Sequence, residues 1–159
     1  MDLEVDGRVY QIDPGTSEIK KIDSGIRFTN GIAFGPDENL YANETFTGMV
    51  YRYRYEDGRI LGGREDFGNV TYEEPTDLPI GPDGMAFGAD GKLYVTVYGQ
   101  GDVTVLSPAG EVVGRIETAG SLPTNVAFGL EEQRIYVTED EFGRVEAFEV
   151  STEGLRLYT

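Results

Sequence analysis

The stretch Thr29-Asn30-Gly31-Ile32-Ala33-Phe34-Gly35-Pro36-Asp37, followed by Leu40-Tyr41, decides the fold because it returns twice. Pro82-Asp83-Gly84-Met85-Ala86-Phe87-Gly88-Ala89-Asp90-Gly91, with Leu93-Tyr94-Val95-Thr96, is the second copy. Thr124-Asn125-Val126-Ala127-Phe128-Gly129, with Ile135-Tyr136-Val137-Thr138, is the third. An Asn or Asp precedes each Phe: Asn30, Asp83 and Asn125, spaced 53 and then 42 residues apart. A period of this size, in a chain of short alternating strands, is that of β-propeller blades. Each such blade is one small sheet that cannot bury its own faces and must stack on its neighbours. The repeat therefore predicts an all-β β-propeller of four-stranded antiparallel blades, with the three polar residues expected at equivalent points.

Outward from the repeats, short alternating runs bounded by Gly, Pro, Asp and Asn recur every 8 to 12 residues, and helical periodicity is almost absent. The first blade spans 29–68, with strands expected at 30–34, 40–44, 48–54 and 64–67, and an Asp57-Gly58 hairpin turn. The second spans 82–118. The third spans 123–158, with a short fourth strand expected at 155–158. Gly7-Arg8-Val9-Tyr10 matches Gly48-Met49-Val50-Tyr51, so 7–23 reads as the outer half of a preceding blade. Three blades and a half fall short of a closed ring, which needs at least four. Either a longer polypeptide supplies the remainder, or two copies close a ring as a homodimer. The segment 69–80, with Glu73 and Glu74, reads as a loop over one face, where the pair would cover one mouth of the channel.

The chain has 159 residues, enough for one domain with a real core. With no cysteine, disulfides, zinc–thiolate sites and thiol nucleophiles are excluded, and with no histidine a Ser-His-Asp triad is excluded too. The formal charge is −16, from 29 acidic and 13 basic residues. That field repels nucleic acid and anionic membranes, so neither is expected as a partner. Solubility explains the acidity most simply; a saline habitat (only Lys20, Lys21 and Lys92 are lysines) and attraction of divalent cations are the other readings. No long apolar stretch or apolar N-terminal core is present, so the chain reads as soluble, and as cytoplasmic rather than secreted.

Thr29-Asn30-Gly31-Ile32-Ala33-Phe34 resembles the Ser-Asn-Gly-Ile/Leu-Ala motif of the gluconolactonase family, which includes senescence marker protein 30 (regucalcin). Pro82-Asp83-Gly84-Met85 with Asp90-Gly91-Lys92-Leu93-Tyr94-Val95 resembles the Pro-Asp-Gly stretch of that family, and Pro123–Gly129 its last-blade signature. The resemblance runs from about Gly7 to Val150 and corresponds to the C-terminal half of such proteins. It implies a six-bladed propeller with one divalent metal on its axis, Ca²⁺ first among candidates and Zn²⁺, Mn²⁺ or Mg²⁺ also suitable. The family's Asn and Asp ligands map to Asn30 and Asp83; a Glu ligand and a substrate-contacting Asn would lie upstream of Met1. The implied reaction is hydrolysis of a small-molecule sugar lactone or similar cyclic ester.

The chemistry also makes sense from the residues. A hard cation takes about 6 to 8 oxygens, carboxylates and amide carbonyls among them. Asp83 is the only carboxylate of the three motif positions and, without histidine, the candidate catalytic base. Asn125 is a candidate channel-lining residue, although a strand-entry hydrogen bond would explain it equally well. Taken singly, Asn-Gly and Asp-Gly are turn dipeptides. Phe34, Phe87 and Phe128, with Tyr41, Tyr94 and Tyr136, are expected as blade-to-blade core rather than as a substrate platform. Glu44 is a further candidate to line the channel, and the clusters Glu131-Glu132 and Glu139-Asp140-Glu141 are expected to be solvated. The alternative function is a non-catalytic propeller module that binds a ligand or protein partner, since fold alone does not settle function.

Overall fold

A computed structural model describes residues 6–72 and 80–156. Among these residues, thirteen strands form four antiparallel sheets and there is no helix. The outer half-blade is β1 (Gly7–Ile12) paired with β2 (Ile19–Ile26). The first blade orders β3 (Thr29–Phe34), β4 (Leu40–Glu44), β5 (Met49–Glu56) and β6 (Arg59–Asn69). The second orders β7 (Gly81–Phe87), β8 (Leu93–Tyr98), β9 (Asp102–Leu106) and β10 (Val112–Glu117). The third orders β11 (Pro123–Phe128), β12 (Arg134–Glu139) and β13 (Arg144–Glu149). This is the β-propeller expected from the repeats.

The local chemistry explains where the strands begin and end. Asp57 and Gly58 both adopt positive φ, 50° and 74°, as a two-residue turn between strands of right-handed twist requires. Because that turn is tight, β6 begins at Arg59, five residues earlier than the 64–67 expectation. The fourth strand expected at 155–158 lies partly outside the described residues. Within them, the chain leaves β13 and crosses to the second blade, where Gly154 bridges Gly88 and the Leu155 N–H donates to the Phe87 carbonyl at 2.9 Å. The expected Glu73–Glu74 cover over the channel lies outside the described residues.

Three apolar layers hold the sheets together. Val9 and Ile26 of the half-blade pack on Leu40, Ala42, Tyr51 and Tyr53 of the first blade. Tyr41 and Val50 pack on Met85, Phe87, Leu93 and Val95 of the second. Tyr94, Val103 and Val105 pack on Val126, Ile135 and Val137 of the third. Each layer follows from period-2 alternation, which gives every strand one face toward the preceding blade and one toward the next. At each full boundary a tyrosine meets the next blade's phenylalanine edge-on: Tyr41 to Phe87 at 4.9 Å between centroids, Tyr94 to Phe128 at 5.1 Å. Such pairs add about 0.5–1.5 kcal/mol beyond the area they bury.

Two expectations about this core need correction. Phe34 and Tyr136, at the two ends of the arc, are exposed rather than packed between blades, because no sheet of the described residues stacks on either. Phe34 instead lies edge-on to Tyr55 of its own blade, at 5.1 Å. Glu139, expected in solvent, is buried: its carboxylate accepts the N–H groups of Leu122, Glu141 and Phe142, at 3.3, 3.0 and 2.9 Å. It thereby fixes the loop after β12 to the start of β11.

Candidate metal centre

The candidate ligands sit on the first strands of adjacent blades, and a common irregularity places them. In β3 the pairing jumps from Thr29↔Glu44 to Ile32↔Ala42, and in β7 from Pro82↔Val97 to Met85↔Val95. The residues passed over are Asn30-Gly31 and Asp83-Gly84. An interruption of this kind re-aims a side chain out of the alternating pattern. Neither glycine has positive φ, so these dipeptides are not turns here but strand residues. Gly31 is small for another reason: a Cβ there would stand 2.2 Å from the Asp83 carbonyl oxygen. The close approach of β3 to β7 is thus possible only without a side chain.

Asn30 and Asp83 are brought together by this approach. Both are half-buried, and the Asn30 side chain lies close enough to the Asp83 carboxyl to favour its ionised form. Burial raises the Asp83 carboxyl above its ordinary value, and the nearby Asn30 amide opposes that rise only partly. A desolvated carboxylate beside an Asn side chain, whose amide would have to turn its oxygen inward, supplies donors of the hard type that divalent cations select. Among the described residues, no lysine or arginine forms an ion pair with Asp83. Nor, among them, does any group of three or more acidic residues form a complete ligand cluster. The pair fits a cation as two members of a larger oxygen set.

The register corrects the third position. In β11 the jump runs from Pro123↔Glu139 to Asn125↔Thr138, and Val126↔Val137 matches Met85↔Val95 and Ile32↔Ala42. The residue at the position of Asn30 and Asp83 is therefore Thr124, and Asn125 falls where the other blades have glycine. Asn125 is exposed, and its side-chain oxygen accepts the Val126 N–H at 3.0 Å. Thr124 shares a hydroxyl–hydroxyl bond of 2.7 Å with Thr138.

Two residues that motif reading passed over position the pair. Asn43 is fully buried; its oxygen accepts the Gly31 N–H at 2.9 Å, and its NH₂ donates to the Asp83 carbonyl at 2.6 Å. The Thr45 hydroxyl donates to the Pro82 carbonyl at 2.8 Å and accepts the Asn30 NH₂ at 3.4 Å. One link therefore runs to each side of Asp83. The signal was polar residues in an otherwise apolar second strand: Asn43, Thr96 and Thr138 all face a first-strand backbone group. Glu44, by contrast, does not line the channel. It is buried at the end of β4, accepting the Arg27 N–H at 2.8 Å and the Tyr51 hydroxyl.

The sequence and the fold have known relatives. The family description "SMP-30/Gluconolactonase/LRE-like region" matches residues 1–140. A lactonase (drp35) of Staphylococcus aureus is 33% identical over 115 residues, 72% of this chain and 35% of that protein. The pentonolactonase XacC of Haloferax volcanii is 30% identical over 135 residues, 83% of this chain and 44% of that protein. The crystal structure of a calcium-binding protein, regucalcin, from Agrobacterium tumefaciens superposes with a TM-score of 0.73 at 23% identity. It covers 92% of this chain and 52% of that one. The chain thus spans between a third and a half of the length of these curated relatives.

Proposed function

The chain belongs to the SMP-30/gluconolactonase/LRE-like family, and from that premise we propose that it forms part of a metal-dependent hydrolase of a sugar lactone or similar cyclic ester. One observation carries the reading: Asn30 and Asp83 meet across a blade boundary that Gly31, Asn43 and Thr45 hold closed. The lactonase names of the two curated relatives support the substrate class, and the regucalcin likeness supports a divalent cation, calcium first.

In this reading Asn30 and Asp83 hold the ion, with the remaining oxygens coming from other ligands. A bound divalent cation supplies polarisation of the lactone carbonyl and a lowered pKa for coordinated water. Asp83 orients the attacking water and takes its proton as that water adds to the carbonyl carbon. The ring C–O bond then breaks, and the proton passes to the departing alkoxide to give a hydroxy acid.

The test is a paired measurement on wild type and Asp83→Ala. Ca²⁺ and Mn²⁺ binding is followed by calorimetry, and hydrolysis of glucono-1,5-lactone by acid release above the spontaneous rate. Metal binding and lactone hydrolysis, both lost in Asp83→Ala with its melting transition intact, are the expected result. Saturable metal binding without hydrolysis would assign the ligands but not the reaction. Neither binding nor hydrolysis would favour the ligand-binding module, a reading that the two-member ligand set keeps in play.

A further inference from the structure

Asn30 is the only asparagine in the chain that is followed by glycine. That dipeptide carries a reaction of its own, which needs no enzyme and no cofactor. The backbone nitrogen of the glycine attacks the side-chain carbon of the asparagine, and ammonia leaves as a five-membered imide closes. Water then opens the imide, to aspartate at one carbonyl or to isoaspartate at the other. Glycine makes the step easy, because no Cβ shields its nitrogen and its backbone rotates freely. The bare sequence therefore marks Asn30, the amide member of the candidate ligand pair, as the asparagine most prone to become an acid.

Closure of the imide has two requirements. The peptide between Asn30 and Gly31 must rotate until its nitrogen faces the Asn30 side chain, and that nitrogen must give up its proton. The fold opposes both. The Gly31 N–H donates to the Asn43 side-chain oxygen at 2.9 Å, and Asn43 is itself fixed, fully buried and donating to the Asp83 carbonyl at 2.6 Å. This bond keeps the proton on the nitrogen and the peptide in one orientation. Packing adds a steric stop, since a Cβ on Gly31 would stand 2.2 Å from the Asp83 carbonyl oxygen, so the glycine is pressed against β7. At the other end the Asn30 NH₂ donates to the Thr45 hydroxyl at 3.4 Å, a longer tether on the leaving group. We propose that Asn43 is a guard residue for Asn30: by accepting the Gly31 N–H it suppresses imide formation and keeps an amide at this position. Without it, aspartate at position 30 would set a second carboxylate near Asp83, and isoaspartate would lengthen the backbone where β3 presses on β7. The bearing of this on a cation rests on the metal-binding reading; the reaction itself does not.

The full chain is incubated at pH 7.5 in EDTA, with and without urea, then digested. Mass spectrometry separates the Asn30 peptide from its aspartate and isoaspartate products. Wild type in buffer should convert at least about tenfold more slowly than in urea. Asn43→Ala should convert about tenfold faster than wild type, because the Gly31 N–H loses its acceptor. Asn43→Asp keeps an oxygen for that N–H, but it loses the donor to the Asp83 carbonyl and buries a charge. It should therefore be the less stable variant and yet the better protected one, converting within about threefold of wild type. That reversal of order separates a guard from a residue that only holds the fold together. Asn43→Asp converting faster than Asn43→Ala, in step with a lower melting temperature, overturns the proposal. So does wild type that converts as fast in buffer as in urea. Should either variant not fold, the other decides: a folded Asn43→Ala as slow as wild type, or a folded Asn43→Asp as fast as the chain in urea, overturns it. No readout uses metal or lactone, so this test stands apart from that of the reaction.

Discussion

The Asn43 side chain reaches from the second strand of one blade to the backbone carbonyl of Asp83 in the next, at 2.6 Å, while holding the Gly31 N–H at 2.9 Å. Asn43 is fully buried, and the two backbone groups it serves belong to half-buried residues. Asn43→Ala leaves a donor and an acceptor unmade, each at about 1–3 kcal/mol. We expect a loss of about 2–4 kcal/mol in urea denaturation, with metal affinity falling because Asp83 is no longer held. Asn43→Asp should be the worse variant: it still accepts from Gly31 but cannot donate to Asp83, and it buries a second negative charge beside the site. An Asn43→Asp variant as stable as the wild type would show that the Asp83 link contributes nothing.

Phe87 and Phe34 occupy the same repeat position with opposite surroundings, which separates packing from motif. Phe87 is buried against Tyr41, and Phe87→Ala should cost about 3–5 kcal/mol. Phe34 touches Tyr55 and is 38% exposed, and Phe34→Ala should cost clearly less than Phe87→Ala. Thermal melts of the two variants side by side check this.

Glu139 offers a third measurement. Its carboxylate accepts three backbone N–H groups while buried, so Glu139→Ala strands several donors and should cost about 2–4 kcal/mol. Glu139→Gln retains one acceptor oxygen and should recover part of that loss. Hydrogen exchange at Leu122 and Phe142 should accelerate in the alanine variant before global unfolding is reached.

The parts of this fold that repeat were the parts that could be read. Three copies of one phrase fix the blades, and the Gly7–Tyr10 match fixes the half-blade, because propeller strands recur in register. Asn30 and Asp83 were legible for the same reason. The displacement of Asn125 was legible too, in the spacing: Asn30 and Asp83 stand four residues before Phe34 and Phe87, but Asn125 stands three before Phe128. What composition could not show was direction. Glu44 and Glu139 end second strands and look like channel or surface carboxylates, yet both turn inward to loops distant in sequence. The exposure of Phe34 was equally hidden, since it depends on what stacks above it and not on its own blade.

Asp83 gives a pH-dependent prediction with a definite sign. Burial raises its folded-state pKa above the ordinary 3.8, so the folded chain binds this proton more tightly than the unfolded chain does. The stabilisation from that proton is fully present below the unfolded value and is lost as pH rises through the folded one. At neutral pH, without metal, the ionised carboxylate is therefore a net burden. Asp83→Asn removes the burden while keeping the shape, and should melt higher than wild type at pH 7.5 in EDTA. The advantage should shrink as pH falls through the folded pKa and vanish at pH 3. Adding Ca²⁺ at pH 7.5 should reverse the order, because an ion held by the wild-type carboxylate stabilises the folded state by mass action. A wild-type chain that melts above Asp83→Asn in EDTA at pH 7.5 would mean that the nearby Asn30 amide outweighs desolvation at this site.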